Sequence, residues 1–205
     1  MDIVTYSHRN AVSTIDNDPD LRELWEEIKW VLTHISDEEI IECFENENRK
    51  AKSISEAINK LIKTQLTKRK WNYESPIFAD PNYDGSNGVW RLDFAKKGIA
   101  LEVAFNHGGN CSWNLIKPVL SSELNHVTKA IQTKIGIIIS ATDEMKKAGG
   151  FDAAVGAYEK YLEYLAPLNN LLVTPLLIVG LKAPKTFKIE HLQVDNRKIG
   201  QVVRI

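Results

Sequence analysis

Cysteine is scarce in this chain: Cys43 and Cys111 are the only two in 205 residues, and they form no CxxC pair. That argues against a disulfide framework or a structural zinc site, and predicts a reducing, cytoplasmic setting. No apolar run reaches the ~18 residues a membrane span requires. The segment Met1-Asp2-Ile3-Val4-Thr5-Tyr6 also lacks the basic-then-apolar order of a secretory leader. The expectation is a soluble protein with no membrane partner. An excess of charge is missing too, since 26 Lys and Arg oppose 27 Asp and Glu for a formal net charge of -1. Any nucleic acid must therefore be met by local Lys/Arg clusters rather than by overall charge. His8, His34, His126 and His191 show no metal-ligand spacing, and no Ser/His/Asp order stands out. Repeats, low-complexity tracts and linkers are absent as well, so one domain over residues 1–205 is expected.

Periodicity sets out the elements. After a polar entry segment, Leu21, Leu24, Trp25, Ile28, Val31, Leu32 and Ile35 fall at helical spacing. Ser36 with Glu39 makes a capping box for a second helix carrying Ile40, Ile41 and Phe44. Ser53 or Ser55 caps a third, with Lys60, Lys63, Lys68, Arg69 and Lys70 outside or at its end. Residues 74–88, with Pro76, Pro81, Asn82, Asp84, Gly85, Asn87 and Gly88, read as a loop. Trp113, Ile116, Leu120, Leu124, Val127 and Ile131 predict a further helix, with Pro118 in its first turn, where no N–H is needed. The runs 135–139 and 176–181 read as buried strands. A helix from about Phe151 separates them, with Val155, Tyr158, Leu162 and Leu165 inward. The tail predicts a hairpin turning at Asp195-Asn196. Together these give an α/β fold with a central mixed β-sheet flanked by helices.

The chemistry concentrates in residues 90–105, which read as two short apolar strands joined by Lys96-Lys97-Gly98, each strand carrying one acid, Asp93 and Glu102. A half-buried carboxylate must find a cation, a metal or hydrogen-bond donors to offset its desolvation. Two in adjacent strands suggest a shared partner, and a hairpin can bring both to one end as an oxygen-rich site suited to magnesium. Alternation alone also explains polar residues in strands, with both acids facing solvent.

An acid followed by an apolar strand with Glu-x-Lys or Glu-x-Gln is the pattern of the PD-(D/E)xK nuclease fold. The chain resembles type II restriction endonucleases of the BglII and BstYI group, with BamHI more distant. The resemblance is carried by Leu92-Asp93-Phe94 and Leu101-Glu102-Val103 with Phe105, by Leu24-Trp25-Glu26-Glu27-Ile28 and Lys70-Trp71, and by Ser122-Glu123-Leu124 and Pro175 with the strand 176–181. It implies a homodimer that recognises a short palindrome in double-stranded DNA and hydrolyses one phosphodiester per strand with Mg2+. Asp93 and Glu102 would then be the metal-binding acids, with Val103 in the metal set and Glu74 as a further active-site polar residue.

Ala104 departs from the pattern. The family places Lys, Gln or Glu there to orient or activate water, and alanine can do neither. Either Glu74 or water at the metal takes over, or Ala104 is an introduced replacement of Lys. The second reading predicts metal and DNA binding with cleavage reduced by about 10²- to 10⁴-fold.

The resemblance also implies that the loop after the catalytic strand enters the major groove, making Asn106, His107, Asn110 and Ser112 base-contact candidates. A second reading loop is expected at Thr142, Asp143, Glu144, Lys146 and Lys147, with the two lysines on phosphates. Two other functions stay open at this stage: a catalytically inactive, sequence-specific DNA-binding module, and a PD-(D/E)xK nuclease outside restriction.

Overall fold

The computed structural model describes residues 1–46, 51–83, 88–124, 126–194 and 197–205. The chain order is β1 (Ile3–His8), α1 (Ala11–Asn17), α2 (Pro19–His34), α3 (Asp37–Glu45), α4 (Ser55–Lys68), β2 (Asn72–Pro76), β3 (Arg91–Lys96) and β4 (Gly98–Val103). It continues with α5 (Cys111–Ser122), β5 (Thr133–Ala141), α6 (Asp143–Ala148), α7 (Tyr158–Leu165), β6 (Leu176–Leu181), β7 (Phe187–Val194) and β8 (Arg197–Arg204). Short 3-10 turns occupy Pro81–Tyr83 and Gly108–Asn110.

A six-stranded sheet in the order β1-β6-β5-β4-β3-β2 forms the middle layer. β4, β5 and β6 run parallel, while β1, β2 and β3 pair antiparallel. The central strands are covered on both faces, which is why 135–139 and 176–181 are continuous apolar runs. On one face Leu101, Ile137, Ile139, Leu177 and Val179 pack with Ile28, Leu32, Ile58 and Ile62 of α2 and α4. On the other, Ala104, Ile138, Leu176 and Ile178 pack with Leu115 and Val119 of α5 and Tyr158, Tyr161 and Leu165 of α7. The β7–β8 hairpin forms a separate two-stranded sheet whose Phe187 and Ile189 join the first core. The mixed sheet flanked by helices is the expected architecture.

Several local expectations hold. In the capping box, Glu39 N–H donates to Ser36 Oγ at 3.2 Å and Ser36 N–H to Glu39 Oε2 at 2.8 Å. Lys97 (φ 26°) and Gly98 (φ 76°) both sit at positive φ between the paired Lys96 and Ile99, the backbone a two-residue hairpin turn demands. β7 and β8 form the terminal hairpin, although its Asp195-Asn196 turn lies outside the described residues, as do Asp84, Gly85 and Asn87.

Others need correction. The entry segment is not merely polar: β1 pairs with β6 along its whole length, and a strand this exposed shows little hydrophobic alternation. α4 is not capped by serine. Ile54 holds the N-cap, and the Ser53 and Ser55 hydroxyls bond each other at 2.9 Å.

α5 starts earlier and stops earlier than its periodicity suggests. Pro118 lies inside it, and Leu124, Val127 and Ile131 lie beyond it. The helix ends where Glu123 turns extended (φ -72°, ψ 142°), and side chains bond carbonyls of its last turn. Ser121 Oγ donates to Pro118 O at 2.9 Å, Ser122 Oγ to Val119 O at 3.0 Å, and Gln132 Nε2 to Ser122 O at 2.8 Å.

α7 begins at Tyr158 rather than near Phe151, and Tyr161, not Val155 or Leu162, is its most deeply buried residue. The backbone of 152–157 is engaged elsewhere: Gly108 N–H donates to Ala154 O at 2.7 Å and Gly156 N–H to Asn106 O at 3.0 Å.

Candidate active site

β3 and β4 pair as far as Phe94↔Leu101 and then part. Asp93 and Glu102 are the next residues on either strand. Where the ladder stops, the Asp93 carboxylate takes the backbone donor, with Val103 N–H donating to Oδ2 at 2.7 Å. Leu101 and Val103 face α2 and α4, so alternation turns Glu102 and Ala104 toward α5. The turn end of the hairpin has its own anchor. Lys96 Nζ reaches both Glu27 oxygens at 2.9 and 2.8 Å, and Trp71 Nε1 donates to Glu27 Oε2 at 2.8 Å.

Glu102 is 2% exposed, and Lys117 of α5 is 9% exposed. Lys117 Nζ forms an ion pair with Glu102 Oε2 and donates to Arg91 O at 3.1 Å. Among the described residues, the buried Oε1 of Glu102 has no hydrogen-bond partner. Burial first, then the neighbouring Asp93 carboxylate, pushes Glu102 up to about 8 against the pull of Lys117. Asp93 is also raised, chiefly by burial and further by Glu74, while Lys117 and the Val103 N–H oppose the shift. Burial disfavours the charged form of both acids, and a cation held between them would offset that cost.

Among the described residues, no three His, Cys, Asp or Glu side chains are grouped to hold a metal. Magnesium does not require three. It commonly takes one or two protein carboxylates and fills its remaining positions from water and substrate phosphate. Asp93 and Glu102, with Oε1 unpartnered, fit such an ion.

Asp93 and Val103 also line a cavity of about 350 Å³ with Asn59, Lys60 and Lys63 of α4 and Tyr73. Lys63 Nζ stands 3.5 Å from the Tyr73 ring centre. Glu74 is not in a loop but in β2, exposed, at a φ of 47°. Its carbonyl accepts from Arg91 Nη1 at 2.8 Å. Ala104 is 1% exposed and offers no polar atom to the site.

The expected reading elements are structured and packed together. Gly108–Asn110 forms a 3-10 turn, and Ser112 lies in the first turn of α5 rather than in a loop. Asn106 Oδ1 accepts from Asn114 Nδ2 at 3.0 Å, and Asn114 in turn donates to the Tyr161 hydroxyl at 2.7 Å. The second loop is helix α6, capped by Thr142 Oγ1 accepting from Met145 N–H at 3.2 Å. A β-bridge joins His107 to Val155, so His107, Asp143 and Lys146 line one hollow of about 350 Å³ with Lys160 and Glu163. Asn110 and Lys147 are exposed but do not line it.

Sequence reasoning missed Lys117 and Lys160. For Lys117 a signal was present, a lone lysine inside the apolar run 115–120.

The six-stranded mixed sheet with an acid on each of two parting strands is a PD-(D/E)xK-type restriction-endonuclease fold. The family model for restriction endonuclease BglII/BglIII matches residues 3–181, and the chain belongs to that family. A crystal structure of restriction endonuclease BglII complexed with a DNA 16-mer is 20% identical over 100% of both chains, with a TM-score of 0.68. A crystal structure of free BglII is 16% identical over 100% of both, with a TM-score of 0.56. No curated protein matches the chain. Among the described residues, no helix is long and apolar enough to cross a membrane.

Proposed function

We propose that this chain is a homodimeric type II restriction endonuclease that recognises a short palindrome in double-stranded DNA and hydrolyses one phosphodiester per strand with Mg2+, residues 1–205 acting as one domain. The observation that carries the reading is the placing of Asp93 and Glu102 side by side where β3 and β4 part, with the buried Glu102 Oε1 unpartnered among the described residues. Family membership supports the same reading.

Asp93, oriented by the Val103 N–H, and Glu102 would hold the ion at Oδ and Oε atoms, with Val103 beside them. When bound, Mg2+ polarises a phosphoryl oxygen and lowers the pKa of water beside it. The water oxygen forms a bond to phosphorus as the bond to the 3′ oxygen breaks in line; the water loses a proton and the leaving oxygen gains one. Lys60 and Lys63, on the rim of the cavity that Asp93 lines, suit the phosphates flanking the cut. Asn106, His107, Asn110 and Ser112 read base edges, while Lys146 and Lys147 fix register on the backbone and Asp143 accepts from exposed base donors. A two-fold protein matches a palindromic site, each protomer cutting one strand.

With alanine at position 104, the strands offer no side chain to orient the water. Catalysis by Asp93 and Glu102 alone would be slower by roughly 10²- to 10⁴-fold. Digestion of mixed plasmid DNA with magnesium tests the reading, using this protein and its Ala104→Lys variant. Discrete fragments are expected from at least one, and intact DNA from both overturns it.

A further inference from the structure

We propose that Lys117 supplies, from helix α5, the polar contact to the attacking water that the strand lacks at position 104; this rests on the endonuclease reading above. Glu102 of β4 and Ala104, the residue just beyond the strand, turn to the side of α5, so a side chain from the helix approaches the acids from the side on which residue 104 stands. Lys117 does this. Its ammonium meets Glu102 Oε2 and leaves Oε1 open to a cation, so lysine and metal need not compete for one oxygen.

An ammonium has three N–H donors. Among the described residues, those of Lys117 have two partners, Glu102 Oε2 and the Arg91 carbonyl. The third N–H is available to a water or phosphoryl oxygen held between the acids. The lysine is also rigidly placed. Pro118 beside it packs so tightly on β5 that a Cβ built on Gly136 would lie 2.4 Å from Pro118 Cβ. Its neighbours Leu115, Val119 and Pro118 are all buried. An aliphatic residue at 117 would continue that run at no desolvation cost, whereas a buried ammonium is unfavourable unless it is paired. Two lysines, one at 104 and one at 117, would be redundant on a single pair of acids, and the chain has one.

The plainer role for Lys117 is to neutralise Glu102 until metal binds. The two roles separate once a divalent cation occupies the site, because the cation then does the neutralising. The test compares the unsubstituted protein, Ala104→Lys, Lys117→Met and the double variant Ala104→Lys/Lys117→Ala. Three readouts are taken: single-turnover cleavage of plasmid DNA in magnesium, DNA binding in calcium, and melting temperature with and without calcium.

The expected result is that Lys117→Met, which keeps the stem, binds DNA and calcium as the parent does but cleaves roughly 10²- to 10⁴-fold more slowly. The double variant, with lysine moved from helix to strand, is expected to regain cleavage. If Lys117→Met cuts at the parental rate once bound, whatever its melting temperature, the lysine is only an ion-pair partner and the proposal is overturned. A double variant as slow as Lys117→Met also overturns it. Should Lys117→Met not fold, the double variant decides alone, by cutting or failing to cut. An uncut plasmid from the parent together with cutting by Ala104→Lys overturns the lysine's role and leaves the endonuclease standing. No cutting from either sinks both.

Discussion

The backbone N–H of Val103 donates to Oδ2 of Asp93 at 2.7 Å, at the level where β3 and β4 have ceased to pair with each other. A side chain thus replaces a rung of the ladder. The same hydrogen bond satisfies a strand donor and fixes the orientation of an acid, so the geometry of the pair follows from where the two strands separate.

Asp93→Asn keeps that arrangement, since an amide oxygen can still accept from Val103, but it removes the charge. Melting temperature and DNA binding in calcium should be retained. Cleavage should fall by roughly 10³-fold or more, because several kcal/mol of charge stabilisation at the reacting phosphate is lost. Single-turnover kinetics on supercoiled plasmid would measure it, and parental cutting by the variant would remove Asp93 from the site.

Stability should depend on pH through Glu102, whose folded value is pushed up to about 8 from an ordinary 4.5. Below 4.5 the acid is protonated in both states. Between 4.5 and 8 the unfolded chain releases the proton and the folded chain keeps it, so stability falls as pH rises, and above 8 the loss is complete. The total is on the order of a few kcal/mol. Urea unfolding at stepped pH should show a decline in the parent that is missing in Glu102→Gln. Calcium should flatten the parental decline by favouring the ionised acid.

Gly136→Ala is expected to destabilise the fold and disturb the site together. The new Cβ would stand 2.4 Å from Pro118 Cβ and 2.6 Å from Leu176 Cδ2, with the proline ring unable to yield by rotation. Overpacking of this kind costs typically about 1–3 kcal/mol. Because α5 carries both Pro118 and Lys117, relief by shifting the helix would also move the lysine. A lower urea midpoint with unchanged slope would fit, and parental stability would argue against so tight a helix–sheet contact.

Lys146→Ala and Lys147→Ala should weaken DNA binding by similar factors on cognate and unrelated duplexes, each lowering the salt slope by about 1. His107→Ala, in the hollow beside Lys146, should lose discrimination between sequences more than overall affinity. Binding titrations at several salt concentrations would tell phosphate contacts from base contacts. An unchanged salt slope in both lysine variants would place the backbone elsewhere.

Much of the framework could be read locally. Ser36 and Glu39 announce a capping box because both partners lie within one helical turn, and Lys97-Gly98 announces a tight hairpin because the backbone there needs positive φ. The runs 135–139 and 176–181 are apolar because strands covered on both faces have no polar side to show. Where local pattern misled, a partner distant in sequence had prevailed. Exposed β1 is a strand because β6 pairs with it, and 151–157 avoids helix because its backbone bonds to 106–108. Glu27, Trp71 and Lys96, scattered in sequence, turn out to be one network.

The sequence by itself determined the alternation of apolar runs and breaks that makes an α/β sheet, the placing of one acid on each strand of a hairpin, and the absence of a polar side chain at Ala104. Only the tertiary structure decided what surrounds those acids. It separates β3 from β4 at Asp93 and Glu102, and it brings Lys117 from α5 onto one oxygen of Glu102 while leaving the other without a partner among the described residues. The physical reason is range. Backbone propensity and hydrophobic period act over a few residues, whereas the desolvation that raises Glu102, and the cation that answers it, depend on how a helix packs across a sheet.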